Sequence, residues 1–583
     1  MSRSEAQANG GARFLNRLHA WAASRTRPAT AFTSQPEPRT VGSFARGRQL
    51  MAGNFLFAGQ LVEAPKVAIW DVQMPDAHFS DEIQGFAWLD DLAAVGDQPT
   101  RLRAQEWTWD WIRRYGRGRG PGWQPDLAGR RLIRWINHAL FLLRAQEAEA
   151  SEAYFLSLAR QTIYLSRRWK AARPGLPRFE ALCGLIYAGL ALRGMESHVE
   201  PARKALEREV LAQIDAQGGL PTRNPEELLE VFTLLTWAAQ ALDESDKRVG
   251  KEHRAAIERI APTLRTLRHA DGSLARFHGG GRGMEGRLDH ALAASGITRA
   301  QPDGLAMGYA RLSSGRSSVI VDASPPPAGR ASLSAHASTL AFELTSGRRP
   351  LVVNCGSGRS FGPEWRRAGR ATPSHSTLCL DGMSSGRLSR RRGRGEELED
   401  APRNVPIRMT HAPDGIRFQG GHDGWLKTHG LTHARTLELT FDGRAVAGED
   451  MLLCLEDRDK RRFDKVMDGK KLEGVPFQIR FHLHPEIEAQ LDMGGSAVSL
   501  ALKSGEVWVF RHDGKQQMAL EPSVFLERNR LKPRSTLQIV LSGLATSHAT
   551  RMRWSFAKAQ DTPVSIRDLN REEQDPALLS DLT

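Results

Sequence analysis

The stretch Ser334–Leu378, SAHASTLAFELTSGRRPLVVNCGSGRSFGPEWRRAGRATPSHSTL, decides how the rest of the 583-residue chain is read. Leu340, Phe342 and Leu344 alternate with Thr339, Ala341 and Glu343, the period of two that a half-buried β-strand requires. Ser346 and Gly347 supply a turn, and Pro350 to Val353 begin a second strand. The spacing therefore places His336 and Asn354 at strand ends and His375 after a further turn, with a basic segment between them.

Three pieces of this stretch carry a resemblance. Ser334-Ala335-His336-Ala337-Ser338, Asn354-Cys355-Gly356 and Arg370-Ala371-Thr372-Pro373-Ser374-His375-Ser376-Thr377 resemble the H-x-H-x-D, D-x-G and R-x-T-x-x-H-[NS]-T signature of the heparinase II/III family of polysaccharide lyases. In the family's zinc-containing members the metal is held at positions that map onto His336, Asn354 and His375. Neutral Asn354 replaces an anionic ligand, and Ser334 replaces a histidine that the family uses in catalysis. Asn is a poorer zinc ligand than carboxylate, so the resemblance implies a zinc ion held weakly or not at all and no other cofactor. It also implies that His336 and His375 converge at one end of the C-terminal domain.

Working outward, residues from about 100 to 270 follow a helical period. Phe155, Leu158, Ala159, Thr162 and Ile163 recur on one face, as do Leu228, Val231, Phe232 and Leu235. Loops such as Arg173-Pro174-Gly175-Leu176-Pro177 and Gly218-Gly219-Leu220-Pro221 separate these helices. Periodicity alone allows a bundle or a solenoid; the resemblance implies an incomplete α/α toroid. After Gly279-Gly280-Gly281 the pattern changes to short β-rich segments, among them Ser318–Val321, Thr436–Phe441, Val507–Phe510 and Thr536–Leu541, which read as an antiparallel sandwich. The expected fold class is multidomain α+β, an N-terminal incomplete α/α toroid followed by a C-terminal antiparallel β-sandwich. The expected divisions are a basic, loosely ordered segment over 1–48, a toroid over 49–295, a sandwich over 296–560 and an acidic tail over 561–583. Within the first segment, Phe14, Leu15, Leu18 and Trp21 have the spacing of a short amphipathic helix able to dock on the body or touch a membrane surface.

Composition bounds the function. The formal charge of +14 and a pI near 9.9 favour an acidic partner. Zinc-finger spacing, an aromatic-basic RNP pattern and a P-loop are all missing, which leaves no specific nucleic-acid reading. No run of about twenty apolar residues offers a membrane span. The four cysteines, Cys183, Cys355, Cys379 and Cys454, are widely separated and read as buried thiols rather than a disulfide framework. The first thirty residues lack a continuous apolar stretch, so a cytoplasmic location is favoured, with the periplasm or cell envelope as the alternative. Nothing in the sequence sets the oligomeric state.

The resemblance implies cleavage of a uronate-containing glycan by β-elimination. That reaction needs a neutralised carboxylate, a base for the C5 proton and an acid for the leaving oxygen. Two toroid loops would carry part of it. The family's N-H-x-x-E maps onto Leu176 to Glu180 and keeps only Glu180. Its R-S-P-x-Y maps onto Arg223 to Glu227 and places Glu227 where a catalytic tyrosine stands. The expected catalytic candidates are Glu180, Arg223, Glu227, His278 and His422; Arg370 and Arg435 are expected to bind substrate, and His336, Asn354 and His375 to form the metal positions. Histidine stands at none of Pro177 or Ser334, so a non-catalytic glycan-binding or envelope-associated protein on the same scaffold is the alternative reading. Phe481-His482-Leu483-His484-Pro485 alternates like a packed strand, and the Arg387–Arg394 run reads as an exposed loop able to meet a polyanion.

Overall fold

The computed structural model describes residues 3–25, 29–34, 39–299, 304–389, 395–528 and 530–560, with side chains from residue 11 onward. The tail expected over 561–583 and most of the basic Arg387–Arg394 run lie outside these residues. Thirteen helices among the described residues fill the first half: α1 (Arg3–Ala23), α2 (Phe44–Met51), α3 (Ala77–Gln84), α4 (Ala87–Val95), α5 (Gln98–Tyr115), α6 (Pro125–Asn137), α7 (Ala139–Leu143), α8 (Ala148–Arg168), α9 (Leu176–Ala191), α10 (Val199–Gln213), α11 (Pro225–Glu244), α12 (Lys251–Thr266) and α13 (Arg287–Ser295). They pack as an incomplete α/α toroid.

Helix starts are written in the sequence. Pro125, Pro177 and Pro225 stand in the first turns of α6, α9 and α11, where the missing N–H costs nothing. Asn224 caps α11 by accepting from the amides of Glu226 and Glu227 at 3.0 and 3.2 Å. The crossing of α6 and α9 depends on two glycines. A β-carbon on Gly129 would lie 2.2 Å from the Glu180 carbonyl oxygen, and one on Gly184 would lie 2.4 Å from the Gly129 α-carbon. This backbone contact brings Arg130 beside Glu180. The toroid core is rich in aromatics, with Phe86 set among Trp70, Trp88, Trp111 and Trp135.

Where the sequence favours a loosely ordered tail, residues 3–23 form α1 on the surface of α8. Its small face provides the reason: Asn16, Ala20 and Ala23 are buried, and Asn16 accepts from Arg168 at 2.8 Å. Phe14, Leu15, Leu18 and Trp21 point outward, Phe14 at 65% exposure.

Strands take over at Tyr309. A two-stranded hairpin of β1 (Asn54–Phe57) and β2 (Gln60–Glu63) precedes the toroid proper. The C-terminal half is two antiparallel sheets face to face. One runs from the hairpin β3 (Tyr309–Ser314) and β4 (Ser317–Asp322) through β5 (Phe342–Ser346) and β6 (Arg349–Val353) to the strands Val475–Leu483, Arg534–Ala545 and Gln517–Phe525. The other holds, among its eight strands, Gly415–Trp425, Leu431–Thr440, Ala445–Leu453 and Ala549–Gln560 in sequence across the sheet. Leu431–Thr440 alternates buried and half-buried residues along its whole length, as a strand with one face in a core must. Phe342, Phe481, Phe510, Trp554 and Phe556 fill the space between the sheets. Among the described residues no helix is long and apolar enough to cross a membrane.

The two halves share a buried seam. Tyr309, Ile320 and Ala341 of the sandwich belong to the toroid core. His269 and Glu343 meet at 2.9 Å, Arg311 donates to the carbonyls of Thr266 and Arg268 at 2.9 and 2.7 Å, and Arg276 donates to the Leu526 carbonyl.

Candidate functional site

Asp322, at the end of β4, is the centre of one buried cluster. Its carboxylate accepts from Arg223 at 2.6 Å and from the Ser338 hydroxyl at 2.7 Å, and His278 Nε2 lies 3.4 Å away. Burial opposes its ionisation, but Arg223 and His278 override that and hold the carboxyl well below the usual range. Arg223, reached from a backbone with φ of 50°, spends its other donors on the carbonyls of Met307, Gly308, Ser324 and Pro325 at 2.8–3.1 Å. The arginine expected to act on substrate thus fastens toroid to sandwich.

His336 and His375 converge, with His336 Nδ1 3.0 Å from His375 Nε2. Hydrogen bonding fixes the tautomers. His375 Nδ1–H donates to the Ala371 carbonyl at 2.9 Å, so its Nε2 accepts and His336 Nδ1 carries the donated proton. His278 Nδ1 accepts from the His336 amide at 3.1 Å, which leaves its Nε2–H toward Asp322. All three rings are buried. Burial holds their pKa values low, His375 at about 4, with His375 adding to the effect on His336; they are neutral at neutral pH.

The zinc position implied by the sequence can be tested on these contacts. Asn354 Oδ1 accepts from the Ser376 amide at 3.0 Å and its Nδ2 faces Glu343 at 3.4 Å. Asn354 is therefore committed to backbone and to Glu343, while the two histidines are committed to each other. No group of three or more His, Cys, Asp or Glu among the described residues is arranged to hold a metal ion. The donors as placed do not fit zinc, which requires about four ligands aimed at one point.

A second cluster repeats the first around Asp450. Arg435 donates to both its oxygens at 2.8 and 3.1 Å, Trp554 Nε1 donates at 2.8 Å, and His433 Nε2 lies at 2.7 Å. His422 Nε2 in turn lies 3.2 Å from His433 Nδ1, and its own Nδ1 accepts from the Gly424 amide at 3.1 Å. Arg435 also donates to the carbonyls of Leu340 and Ser376, both at 2.9 Å. Arg370 behaves alike, donating to the carbonyls of Ser332, Ala335 and Glu396 at 2.8 Å each; burial and the nearby Arg366 bring its pKa down to about 10. Arg370 and Arg435, expected to bind substrate, and His422, expected in catalysis, are all buried and hold loops and strands in place.

The toroid supplies the carboxylates. Glu180, on α9, is gripped from α6 by Arg130 through Nε at 2.5 Å and Nη2 at 3.0 Å. Burial pushes its carboxyl up to about 7 against the pull of Arg130. Glu227 is half-buried in the first turn of α11 beside the Gly175 loop, and burial raises its pKa too. Asp322, Asp450, Glu343 and Arg130 escaped the sequence reading. Asp322 had one available signal, an acidic residue closing the apolar run Val319-Ile320-Val321.

Comparison with known proteins places this geometry. Residues 296–555 match the family model described as heparinase II/III-like, C-terminal. FtsZ-localized protein C of Caulobacter vibrioides is 31% identical over 550 residues, which cover 92% of this chain and 91% of that protein. The crystal structure of a heparinase III superposes with a TM-score of 0.69 at 11% identity, over 92% of this chain and 88% of that one. A mutant heparan sulfate lyase of Pedobacter heparinus gives 0.58 at 14% identity, over 95% and 89%. At such identities the two lyases establish the fold alone.

Proposed function

Because the chain belongs to the heparinase II/III-like family, we propose that it has kept the family's cleft between toroid and sandwich as a binding site for an acidic, uronate-containing glycan, without the β-elimination chemistry. One observation carries the reading. The positions that would supply acid and base are either replaced, as at Pro177, Glu227 and Ser334, or held as neutral buried rings inside hydrogen-bonded clusters, as at His278, His336, His375 and His422. His375 and His422 have both ring nitrogens in hydrogen bonds to protein groups and are not free to take a C5 proton, and all four rings are buried. Incubation with a panel of uronate glycans, read by the ultraviolet absorbance of unsaturated uronate and in parallel by calorimetric binding, tests this: binding without new absorbance is expected.

The relative called FtsZ-localized supports placing this chain at the same machinery, because the similarity runs through nearly the whole of both proteins. The face of α1 supports attachment to an anionic membrane surface. Phe14, Leu15, Leu18 and Trp21 are exposed in one row with Arg13, Arg17 and Arg25 beside them, and such a pattern suits an interfacial helix. A fluorescent fusion should follow FtsZ rings, and Phe14→Ser with Trp21→Ser should abolish co-sedimentation with anionic vesicles.

The second reading, a working lyase, is favoured by Glu180. A carboxyl pushed up to about 7 is suited to proton transfer near neutral pH. In that case Glu180→Gln would abolish formation of unsaturated uronate.

A further inference from the structure

Two residues beyond Leu526 of the buried seam, the toroid and sandwich meet again at an exposed, charged contact. Arg359 and Arg528 come from two different sandwich loops yet reach the same helix. Arg359 Nη2 lies 3.2 Å from His78 Nδ1, and Arg528 Nη2 donates to Glu82 Oε1 at 2.8 Å. His78 and Glu82 are four residues apart on α3, hence on one face of it, so the two guanidinium groups lie side by side. Arg528 Nη1 also stands 3.7 Å from Glu226 at the start of α11.

The charges of this contact are unevenly paired. Arg359 is exposed and, among the described residues, has a histidine rather than a carboxylate as its partner. Arg173 and Arg366 are close enough that their charges, after burial and Arg528, lower its pKa. Arg173 is exposed, and Arg366 donates to the Leu333 carbonyl at 3.0 Å. Arg528 has Glu82 and Glu226 in contact with Glu230 nearby, and Glu227 lies near Arg173, so Arg359 is the arginine of this contact whose partner is a histidine. Glu82 is fixed from behind, its Oε2 accepting from the Ala58 amide at 2.8 Å. It presents one carboxylate oxygen of the toroid to a cation of the sandwich.

We propose that Arg359 and Arg528, flanked by Arg173 and Arg366, form a subsite at the mouth of the cleft for the carboxylate of a uronate residue, and that Glu82 occupies half of it until the glycan displaces it. The proposal rests on the glycan-binding reading above. A ring carboxylate has the charge and planar oxygen pair of Glu82, and paired guanidinium forks are matched to that group. Their position on both sides of the domain junction makes the subsite a contact that only a ligand lying across toroid and sandwich uses fully.

The test is calorimetric titration of the full chain with an unsulfated oligogalacturonate and with the same oligosaccharide after its carboxyls are reduced to alcohols. Arg359→Ala and Arg528→Ala should each weaken the acidic ligand about tenfold, the scale of a charge-assisted pair, and leave any affinity for the reduced ligand unchanged. Arg359→Lys should keep part of the affinity. Glu82→Gln should tighten binding severalfold by removing the internal competitor, an outcome that a simple loss of structure does not produce. Unfolding midpoints should stay close to wild type, because these are exposed contacts. Equal affinity of wild type, Arg359→Ala and Arg528→Ala for the acidic ligand overturns the subsite and leaves the glycan reading standing. Failure of the wild type to bind any uronate glycan overturns both.

Discussion

The two halves of the molecule treat the family's functional positions in opposite ways. The sandwich keeps His336, His375 and His422 and buries them; the toroid has lost histidine and tyrosine, keeps Glu180 beside Arg130, and has Glu227 in the tyrosine's place in the first turn of α11. On the sandwich side, each cluster is organised by a buried aspartate with one arginine and one or more histidines, Asp322 with Arg223 and His278, Asp450 with Arg435 and His433. The retained histidines act there as neutral hydrogen-bonding parts of the fold. A motif that persists in a sequence can thus mark the interior a scaffold needs.

The contrast is broken most severely at the seam. Arg223→Ala leaves Asp322 buried without its cation and removes four carbonyl contacts; loss of a buried pair costs about 3–5 kcal/mol, so denaturant unfolding should show a large loss and the two halves should unfold in separate transitions. Next in size is a difference in pH response. His375 is held at about 4 against an ordinary 6.5, so as pH falls between those values the unfolded chain takes up a proton that the folded one refuses. The folded state loses on the order of 3 kcal/mol in that window, and His375→Gln should flatten this acid limb in urea titrations run from pH 7 to 4. Glu180 gives the opposite sign. Its carboxyl, ordinarily near 4.5 and raised to about 7, keeps its proton longer in the folded chain, so stability declines as pH rises through that range; Glu180→Gln should remove this slope. The smallest effect is expected at the exposed contact of Arg528 with Glu82, where Arg528→Ala should change stability by less than about 1 kcal/mol.

The fold was legible because it depends on patterns that recur many times. Alternation around Leu340 to Val353 and helical spacing around Phe155 and Leu228 each identify an element, and Pro225 with Asn224 even fixes a helix start. The site was legible only in part. The convergence of His336 with His375 followed from the family resemblance of the Ser334–Thr377 stretch, whereas the commitment of Arg223, Arg370 and Arg435 to backbone carbonyls depends on where distant loops come to rest. Asp450 shows the limit: in Gly448-Glu449-Asp450-Met451 nothing distinguishes it from Glu449, yet Asp450 is fully buried under Arg435 and Trp554 while Glu449 pairs with Arg553 at the surface. Helix α1 departs from the expected loose tail for a similar reason, since Asn16, Ala20 and Ala23 find a surface on α8 that local sequence does not announce.

The central claim is that the buried histidines of the sandwich hold the fold rather than perform chemistry. It is tested most directly by following unsaturated uronate and glycan binding in the same samples of wild type and His336→Gln, with folding verified by circular dichroism. The account predicts that both proteins bind the acidic glycan and that neither produces unsaturated ends. Steady product formation by the wild type, abolished in a folded His336→Gln protein, would contradict it.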